Sequence, residues 1–389
     1  MYIIFIFAIA YAFMAFQKKI YSNNWNRDLY VNVAFEKNQV TEGEDTVIVE
    51  SVINNKWLPL PFLFINFKLE NSFKTANMER VSADDKFTRN DLINVLMKQS
   101  VKKKIKIVCS RRGCYSIDSF SIKAYNLFLN EKFIEDYSGK SMLTVYPGTV
   151  DVRRFEELLK RIDGNLKNND SFYDDCFLIR GCREYQPYDE MKYINWKATA
   201  KTGDLKVNVF DKISNSNVFI YVNLESLQVF ADNEVLEESI RLAKSFAIVL
   251  SDYGMKSCVI TNGKPQKSNA YVTVRKSDIG PAYLNRVDEA LASIDLRKSI
   301  SSKTDAVDET FSEHYCNEIL ENADKGFIIL ISNSHEKNLC SCMRELKRHR
   351  NPFIWITPVA SETEFENFNT IEGNEYAWRL KYEGAEEMI

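Results

Sequence analysis

Hydrophobic residues are distributed differently in three successive parts of the chain. The first part, Tyr2–Phe16, is an unbroken apolar run followed by Gln17 and two lysines. With Met1 it predicts a helix of about 24 Å, shorter than the roughly 30 Å hydrocarbon core of a bilayer. Local thinning of the bilayer and snorkelling of the lysines close that gap. We therefore predict a membrane anchor over residues 1–19.

The residues that flank this run predict its orientation. Lys18 and Lys19 follow the run, so the positive-inside rule places the rest of the chain in the cytoplasm. A cleaved signal peptide is disfavoured, because the run has no basic segment before it and AFQKK is a poor cleavage site. The sequence thus predicts a single-pass protein of the cell membrane with cytoplasmic soluble domains.

From residue 27 to 147 the apolar residues recur with period two, which is typical of strands. Segments with this alternation are Leu29–Phe35, Thr46–Ile53, Val101–Cys109 and Tyr115–Tyr125. The stretch WLPLPF from Trp57 contains two prolines and predicts an edge strand or a loop. Short strands with turn signals between them predict an all-β sandwich domain.

Beyond residue 147 the pattern becomes that of an α/β protein. Region 150–210 opens with helical spacing over Val152–Ile162, followed by a polar, loop-like stretch. In region 211–389, continuous apolar runs such as Asn217–Leu224 and Gly326–Ser332 alternate with amphipathic helices. Strands of this kind predict a mostly parallel sheet with helices on both faces.

The segment REYQPYDEMKYINWKATAKTGDLKVNVF, residues 183–210, is the densest in charge and aromatic residues. Asp189 is a candidate cap for a helix that runs to about Thr202, and Gly203 supplies its C-terminal turn. DLKVNVF then predicts a strand with Leu205 and Val207 on one side. The segment therefore predicts a capped helix followed by a strand.

Two roles are open for this segment. In the structural role, Trp196 and Ile194 clamp it onto the α/β domain, and Asp189 pairs with Arg180 or Arg183. In the functional role, its basic and aromatic side chains form an exposed surface that docks a partner. The candidate partner-binding residues are Arg180, Arg183, Tyr185, Asp189, Lys192, Trp196 and Lys201.

Composition excludes several classes of function. The net charge of −3 gives no global field for nucleic acid, so we expect no nucleic-acid partner. Eight cysteines in 389 residues do not form a dense disulfide framework and are expected to be free thiols. His335, Cys340, Cys342 and His349 fall on or beside one predicted helix, so they do not converge on zinc.

Catalytic motifs are missing from the sequence. It contains no GxGxxG after a strand, no GxxxxGK[ST] and no GxSxG. The three histidines, His314, His335 and His349, have no serine or cysteine poised beside them. We therefore expect a protein that is not an enzyme and needs no cofactor.

The alternative hypothesis is a domain that binds ligands or hydrolyses them with a divalent metal. Ligands gather at the C-terminal ends of strands in open α/β sheets, and two such ends carry Asn223, Glu225, Ser226 and Asn333. Hard cations prefer carboxylate oxygens, but amides stand at two of these positions. A Mg²⁺ site here would be degenerate.

Residues of the 183–210 segment resemble a known family at matching spacings. They are Arg183, Tyr185, Pro187, Asp189, Ile194, Trp196, Ala200, Gly203, Leu205 and Val207. The pattern is similar to the bacterial family called domain of unknown function 58. Tyr188, Asn195 and the pair Lys192–Tyr193 depart from the usual pattern.

The resemblance implies a von Willebrand factor A-like domain behind a membrane segment. In that family the first strand end carries aspartate–x–serine–x–serine, which is degraded here to Asn223–Leu227, and a later strand-end aspartate is Asn333. Metal binding is therefore not carried over. The resemblance further implies association with a MoxR-type AAA+ ATPase. The expected function is that of an adaptor in the assembly or remodelling of envelope-related complexes.

Overall fold

The protein is described by a computed structural model that covers residues 2–74, 86–129, 131–166, 179–186, 191, 194–210, 217–225, 233–265, 268–297, 310–360, 370–371 and 373–380. The chain divides into two compact units, Met1–Gly148 and Thr149–Ile389. Helices and strands are numbered in chain order within the described residues.

The N-terminal helix is longer than predicted. Helix α1, Tyr2–Asn24, has 23 residues and is about 35 Å long. Its stretch Ile3–Asn24 is long and apolar enough to cross a membrane, by length and composition alone. It continues past the lysines because Tyr21 is buried in the core of the first unit. The Tyr21 hydroxyl also donates a hydrogen bond to the Pro59 carbonyl oxygen at 2.8 Å.

Two sheets with a shared hydrophobic core form the rest of the first unit. The first sheet, in the order β1-β3-β7-β5, contains β1 Leu29–Phe35, β3 Asp45–Asn54, β7 Gln99–Cys109 and β5 Phe73–Lys74. The second sheet, in the order β2-β9-β8-β4-β6, contains β2 Gln39–Thr41, β9 Lys132–Tyr146, β8 Gly113–Tyr125, β4 Leu60–Glu70 and β6 Lys86–Val95. The period-two alternation buries one face of each sheet, so the unit is a β-sandwich.

The interpretation of WLPLPF as an edge strand or a loop is confirmed for residues 57–59, which form a loop before strand β4, and is wrong for residues 60–62, which begin that strand. Strand β4 lies between β8 and β6, in the interior of its sheet. Pro59 precedes the strand, and Pro61 falls at a register shift between Leu60 and Leu63, where the ladder is already interrupted. Leu60 and Leu63 are fully buried, which stabilises the strand in spite of the prolines.

The second unit begins with α2 and a small two-stranded sheet and continues into a six-stranded sheet. The first elements are α2 Val152–Leu166, β10 Ile179–Glu184, α3 Trp196–Thr202 and β11 Lys206–Phe210. The large sheet has the order β14-β13-β12-β15-β16-β17, with β12 Asn217–Val222, β13 Ser257–Thr261, β14 Thr273–Asp278, β15 Gly326–Ile331, β16 Phe353–Val359 and β17 Glu375–Arg379. Its neighbouring strands are parallel except for β13 and β14.

Helices cover both faces of this large sheet. They are α4 Asn233–Asp252, α5 Pro281–Ser293, α6 Phe311–Ala323 and α7 Lys337–Arg348. Along β12, Ile220 and Val222 belong to a core with α4 and α5, whereas Tyr221 points into a second core with α6 and α7. A mixed α/β fold with several sheets is therefore confirmed.

Candidate functional site

The segment that stands out in the sequence forms a compact β10–α3–β11 element. Strands β10 and β11 pair antiparallel, with Arg183 opposite Val207. Helix α3 follows Asn195, whose Oδ1 accepts a hydrogen bond from the Ala198 N–H at 2.9 Å. The helix ends at Gly203, which has φ 82° and donates its N–H to the Thr199 carbonyl oxygen. The predicted C-terminal turn at Gly203 is confirmed.

Asn195, not Asp189, caps α3. Asp189 lies outside the described residues, and the described helix does not begin until Trp196. The Asn195 Nδ2 donates to Asn208 Oδ1 at 2.7 Å and to the Cys182 Sγ at 3.2 Å. One side chain therefore joins the helix to both strands. Asn195 lies inside the helix that the sequence predicts, and the signal for its role was that asparagine is a favoured N-cap residue.

Trp196 lies on the surface of this element. Its side chain is 64% exposed, and α3 has no buried residue. Ile194, in contrast, is 6% exposed and forms a bridge with Val207. The structural role predicted for these two residues is therefore wrong for Trp196, because it is the first residue of a seven-residue helix that buries nothing.

The other candidate docking residues fall into two groups. Arg183 and Lys201 are exposed, and Tyr185 is half-buried, with its N–H donating to the Leu205 carbonyl oxygen at 2.9 Å. Asp189, Lys192 and the side chain of Arg180 lie outside the described part of the chain. We define the docking patch as Arg183, Tyr185, Trp196 and Lys201. These residues all lie on β10, on α3 or immediately beside them.

The described cysteines are unbridged, as the composition predicts. Burial raises the pKa of Cys109 to about 11 and that of Cys258 to about 12. Both thiols are therefore protonated at neutral pH and are poor nucleophiles. Cys340 and Cys342 are buried on α7, whereas His335 Nε2 contacts Glu375 Oε1 at 2.6 Å. Within the described residues, no group of three or more His, Cys, Asp or Glu side chains could hold a metal ion.

A second polar site lies at the C-terminal ends of three neighbouring strands. Asn223 follows β12, Asn262 follows β13 and Ser332 follows β15. The Asn223 Nδ2 donates to Ser332 Oγ at 3.2 Å, and the Asn262 Nδ2 donates to Asn223 Oδ1 at 3.2 Å. The convergence predicted for the strand ends of β12 and β15 is therefore observed. We call Asn223, Glu225, Asn262 and Ser332 the strand-end cluster.

N–H donors already engage two acceptor oxygens of this cluster, Glu225 Oε1 and Asn223 Oδ1. Glu225 Oε1 accepts from the Asn262 Nδ2 at 3.1 Å and from the Phe311 N–H, at the start of α6, at 2.7 Å. Asn223 Oδ1 also accepts the Glu225 N–H at 2.9 Å. These donors take positions that a cation would need, and only one of the four side chains is a carboxylate. The donor set therefore does not fit a hard divalent cation.

Two further residues, Ser226 and Asn333, belong to the predicted degenerate metal site. Ser226 lies outside the described residues. Asn333 Oδ1 is buried without a hydrogen-bond partner among the described residues, but it is an uncharged amide oxygen. Sequence reasoning missed Asn262, because it considered the ends of β12 and β15 and not the end of β13. The signal was its position directly after a strand of the same parallel sheet.

Many solved structures are similar to part of this chain, among them the following three. The CARDB domain of the PF1109 protein from Pyrococcus furiosus, described in complex with di-metal ions, is 11% identical over 30% of this chain and 92% of that chain, with a TM-score of 0.19. The C-terminal domain of wzt is 14% identical over 31% and 75%, with a TM-score of 0.22. A non-cellulosomal cohesin from Archaeoglobus fulgidus is 8% identical over 33% and 96%, with a TM-score of 0.21. At these TM-scores the similarities do not establish a shared fold or function.

Comparison with known sequences gives one informative match. No curated protein matches the chain. Residues 181–280 match the model of a family described as "Protein of unknown function DUF58". The matched range starts in β10, includes α3 and β11, and reaches Gly280, immediately before α5. It covers 100 of the 389 residues of the chain. Over this range, which contains the docking patch, the chain is similar to the DUF58 family.

Proposed function

We propose that this protein is a membrane-anchored, non-enzymatic adaptor whose second unit binds a protein partner through the docking patch. The observation that carries the proposal is the exposure of Trp196 on α3. Tryptophan and arginine are enriched at the energetic centres of protein interfaces. Arg183 and Lys201 are exposed on the same β10–α3–β11 element and supply positive charge.

The anchor in this proposal is α1. Its large apolar side chains from Ile3 to Phe16 are exposed, and eight of them are at least 60% exposed: Ile3, Ile4, Phe5, Ile6, Phe7, Tyr11, Phe13 and Phe16. Such a surface is costly in water and favourable among acyl chains. The lysines after it favour a cytoplasmic location for both units.

The second unit is proposed to be von Willebrand factor A-like. In support, the six-stranded sheet is parallel apart from its β14 edge, and its two faces are covered by α4 with α5 and by α6 with α7. The strand-end cluster, with amides in place of carboxylates, supports binding of a partner without a bridging metal.

The proposed partner is a MoxR-type AAA+ ATPase, and the proposed role is the assembly or remodelling of envelope-related complexes. This part rests on the resemblance of the segment from Arg183 to Val207 to its family. The net charge of the chain, −3, supports a protein partner over a nucleic acid.

Capture of the partner from native membranes tests the proposal. The full chain, solubilised in mild detergent, is expected to retain an AAA+ ATPase. Trp196→Ala should reduce recovery at least tenfold, because a hot-spot side chain contributes about 2 kcal/mol or more. The matched control is Ile279→Ala, an exposed apolar residue of the same unit that lies outside the patch. The proposal is contradicted if the wild-type chain captures no AAA+ ATPase. It is also contradicted if Trp196→Ala and Ile279→Ala capture equal amounts of the ATPase.

A further inference from the structure

Strand register brings several loops to the end of the sandwich where α1 joins. Strand β1 begins at Leu29, which pairs with Asn54 at the end of β3. Asn54 also pairs with Gln99 at the beginning of β7. In the other sheet, Leu60 at the beginning of β4 pairs with Val95 at the end of β6. The β3–β4 and β6–β7 connections therefore lie at this end.

The β8–β9 connection lies at the same end. Tyr125 at the end of β8 pairs with Lys132 at the beginning of β9, and also with Phe62 near the beginning of β4. Asn54, fully buried, joins the other two connections, because its Nδ2 donates to the carbonyl oxygens of Leu58 and Leu96, both at 2.9 Å. The three connections therefore form one surface.

Large apolar side chains occupy the tips of these connections. They range from 47% to 62% exposed and are Trp57, Leu96, Met97, Leu127, Phe128 and Leu129. We call this set the apolar loop face. Removing such side chains from water is favourable, so their clustered exposure marks an interaction surface.

The apolar loop face is continuous with the apolar surface of α1. The rings of Phe13 and Phe128 meet edge to face, with centroids 6.2 Å apart. Five residues further along the helix, Lys18 Nζ forms an ion pair with Glu131 at 2.5 Å. The apolar run of α1 ends just before Gln17. The β8–β9 connection therefore contacts α1 both before this point, through Phe128, and after it, through Glu131.

We propose that the apolar loop face inserts into the interface of the same bilayer that α1 crosses. The inference rests on the membrane anchoring proposed above. Phe13 precedes Lys18 by five residues, which is about 7.5 Å along the helix axis. That depth lies within the roughly 5–10 Å to which interfacial apolar faces are buried. Lipid is the occupant because Phe128 touches a ring of the membrane-crossing surface itself.

Basic residues at this end fit the proposal. Lys19, Lys98 and Lys132 are exposed on α1, on the β6–β7 connection and at the beginning of β9. Lysines with apolar neighbours place their ammonium groups among anionic headgroups. Insertion would fix the sandwich against the membrane surface, so that it would not swing freely on α1.

Quenching of tryptophan fluorescence by brominated lipid tests the insertion. The full chain is reconstituted into vesicles of phosphatidylcholine and phosphatidylglycerol, with and without bromine on the acyl chains. The Trp57 signal is the difference between the wild-type protein and Trp57→Phe. We expect bromine to quench at least half of this signal, and Met97→Glu to reduce the quenching at least twofold. The matched control Met142→Glu, an exposed methionine ten residues into β9 from Lys132, should leave it unchanged.

Flotation of the vesicles in a density gradient separates the two proposals. A chain that does not float with the vesicles overturns the anchor and the insertion together. A chain that floats but has an unquenched Trp57 signal overturns the insertion alone. Equal quenching in Met97→Glu and Met142→Glu also overturns it, because the loop would then not determine the depth of Trp57.

Discussion

The two units bury polar side chains in opposite ways. The sandwich contains an ion cluster of Glu50, Arg89, Asp91 and Lys103, in which Asp91 accepts hydrogen bonds from Arg89 and from Lys103. Glu50 and Lys103 belong to one sheet, and Arg89 and Asp91 to the other. The strand-end cluster of the second unit instead consists of two amides, a hydroxyl and one carboxylate, joined by hydrogen bonds.

In the sandwich ion cluster, the pKa values of the two carboxyl groups are shifted in opposite directions. Burial, followed by the negative charge of Asp91, raises the pKa of Glu50 to about 8. Burial alone would raise the pKa of Asp91, but the hydrogen bonds from Arg89 and Lys103 outweigh it and lower that pKa. Two neighbouring carboxyl groups in a buried site separate in this way because both cannot be charged cheaply.

This difference predicts which of the two units has a stability that depends on pH. A buried carboxyl group with a displaced pKa makes stability depend on pH, whereas the two amides and the hydroxyl of the strand-end cluster do not titrate. In the strand-end cluster, Asn262 and the Phe311 N–H donate to Glu225 directly. We therefore expect the stability of the sandwich to depend on pH near neutrality. In the strand-end cluster, we expect Glu225 to accept hydrogen bonds from protein N–H groups and not to bind a cation.

Among the changes considered, Glu50→Gln should have the largest effect, because it removes the pH dependence that distinguishes the sandwich from the strand-end cluster. Its pKa is about 8 in the folded protein, against an ordinary value of 4.5. The contribution of protonated Glu50 to the free energy of unfolding is therefore fully present below pH 4.5. It decreases as the pH rises from 4.5 to 8, by up to about 1.4 kcal/mol per pH unit. Hydrogen exchange of β3 and β6 in the full chain, measured between pH 5 and pH 8 and corrected for intrinsic rates, should show this slope in the wild type and a flatter one in the variant.

The control for that experiment is Glu36→Gln. Glu36 is an exposed carboxylate of the same unit that pairs with Lys104 on the surface. Its removal should leave the slope of the wild type unchanged. Parallel curves for the wild type and Glu50→Gln would show that Glu50 does not cause the pH dependence.

The sequence contains part of the information about the sandwich ion cluster. In VIVESVIN, Glu50 has the same parity as Ile48 and Val52, which are both fully buried, so alternation marks an inward position. Its partners were not predictable, because Arg89 and Asp91 lie in KFTRNDLINV, whose polar residues obscure strand β6. Contacts between sheets are set by sandwich packing, which the pattern of a single strand does not contain.

The candidate sites show the same limit. The rule for parallel strand ends brought Asn223 together with the end of β15, because it depends only on topology. The exposure of Trp196 did not follow from the sequence, since a helix of seven residues can bury either face. Its capping residue was assigned to Asp189 although Asn195 stood directly before the helix. Helix boundaries depend on such local competition and are less certain than the helix itself.

Asn262→Ala should have a smaller effect, without pH dependence. The change removes the acceptor of the Leu224 N–H and the donor to Asn223 and Glu225. Buried groups that lose their partners cost about 1–3 kcal/mol. Hydrogen exchange of β12 and β13 should accelerate accordingly, and equally at pH 5 and pH 8.

Asn351→Ala is the matched control, because Asn351 donates to Asp324 near the surface of the same unit. It should cost less than about 0.5 kcal/mol. A loss at Asn262 that changes between pH 5 and pH 8 would mean that a titrating group controls the strand-end cluster, and the contrast with the sandwich would fail.

Addition of Mg²⁺ or Mn²⁺ should have the smallest effect of all. The strand-end cluster offers one carboxylate, Glu225, whose Oε1 already accepts hydrogen bonds from two N–H groups. A cation that binds there would have to break these hydrogen bonds, and it would gain only one charged ligand in return. Calorimetry on the full chain in detergent, after treatment with a chelator, should show only heats of dilution. Glu225→Ala should give the same trace as the wild type. Saturable heat in the wild type that Glu225→Ala abolishes would instead support the metal-dependent alternative, and it would require the hydrogen bonds from Asn262 and Phe311 to break when the ion binds.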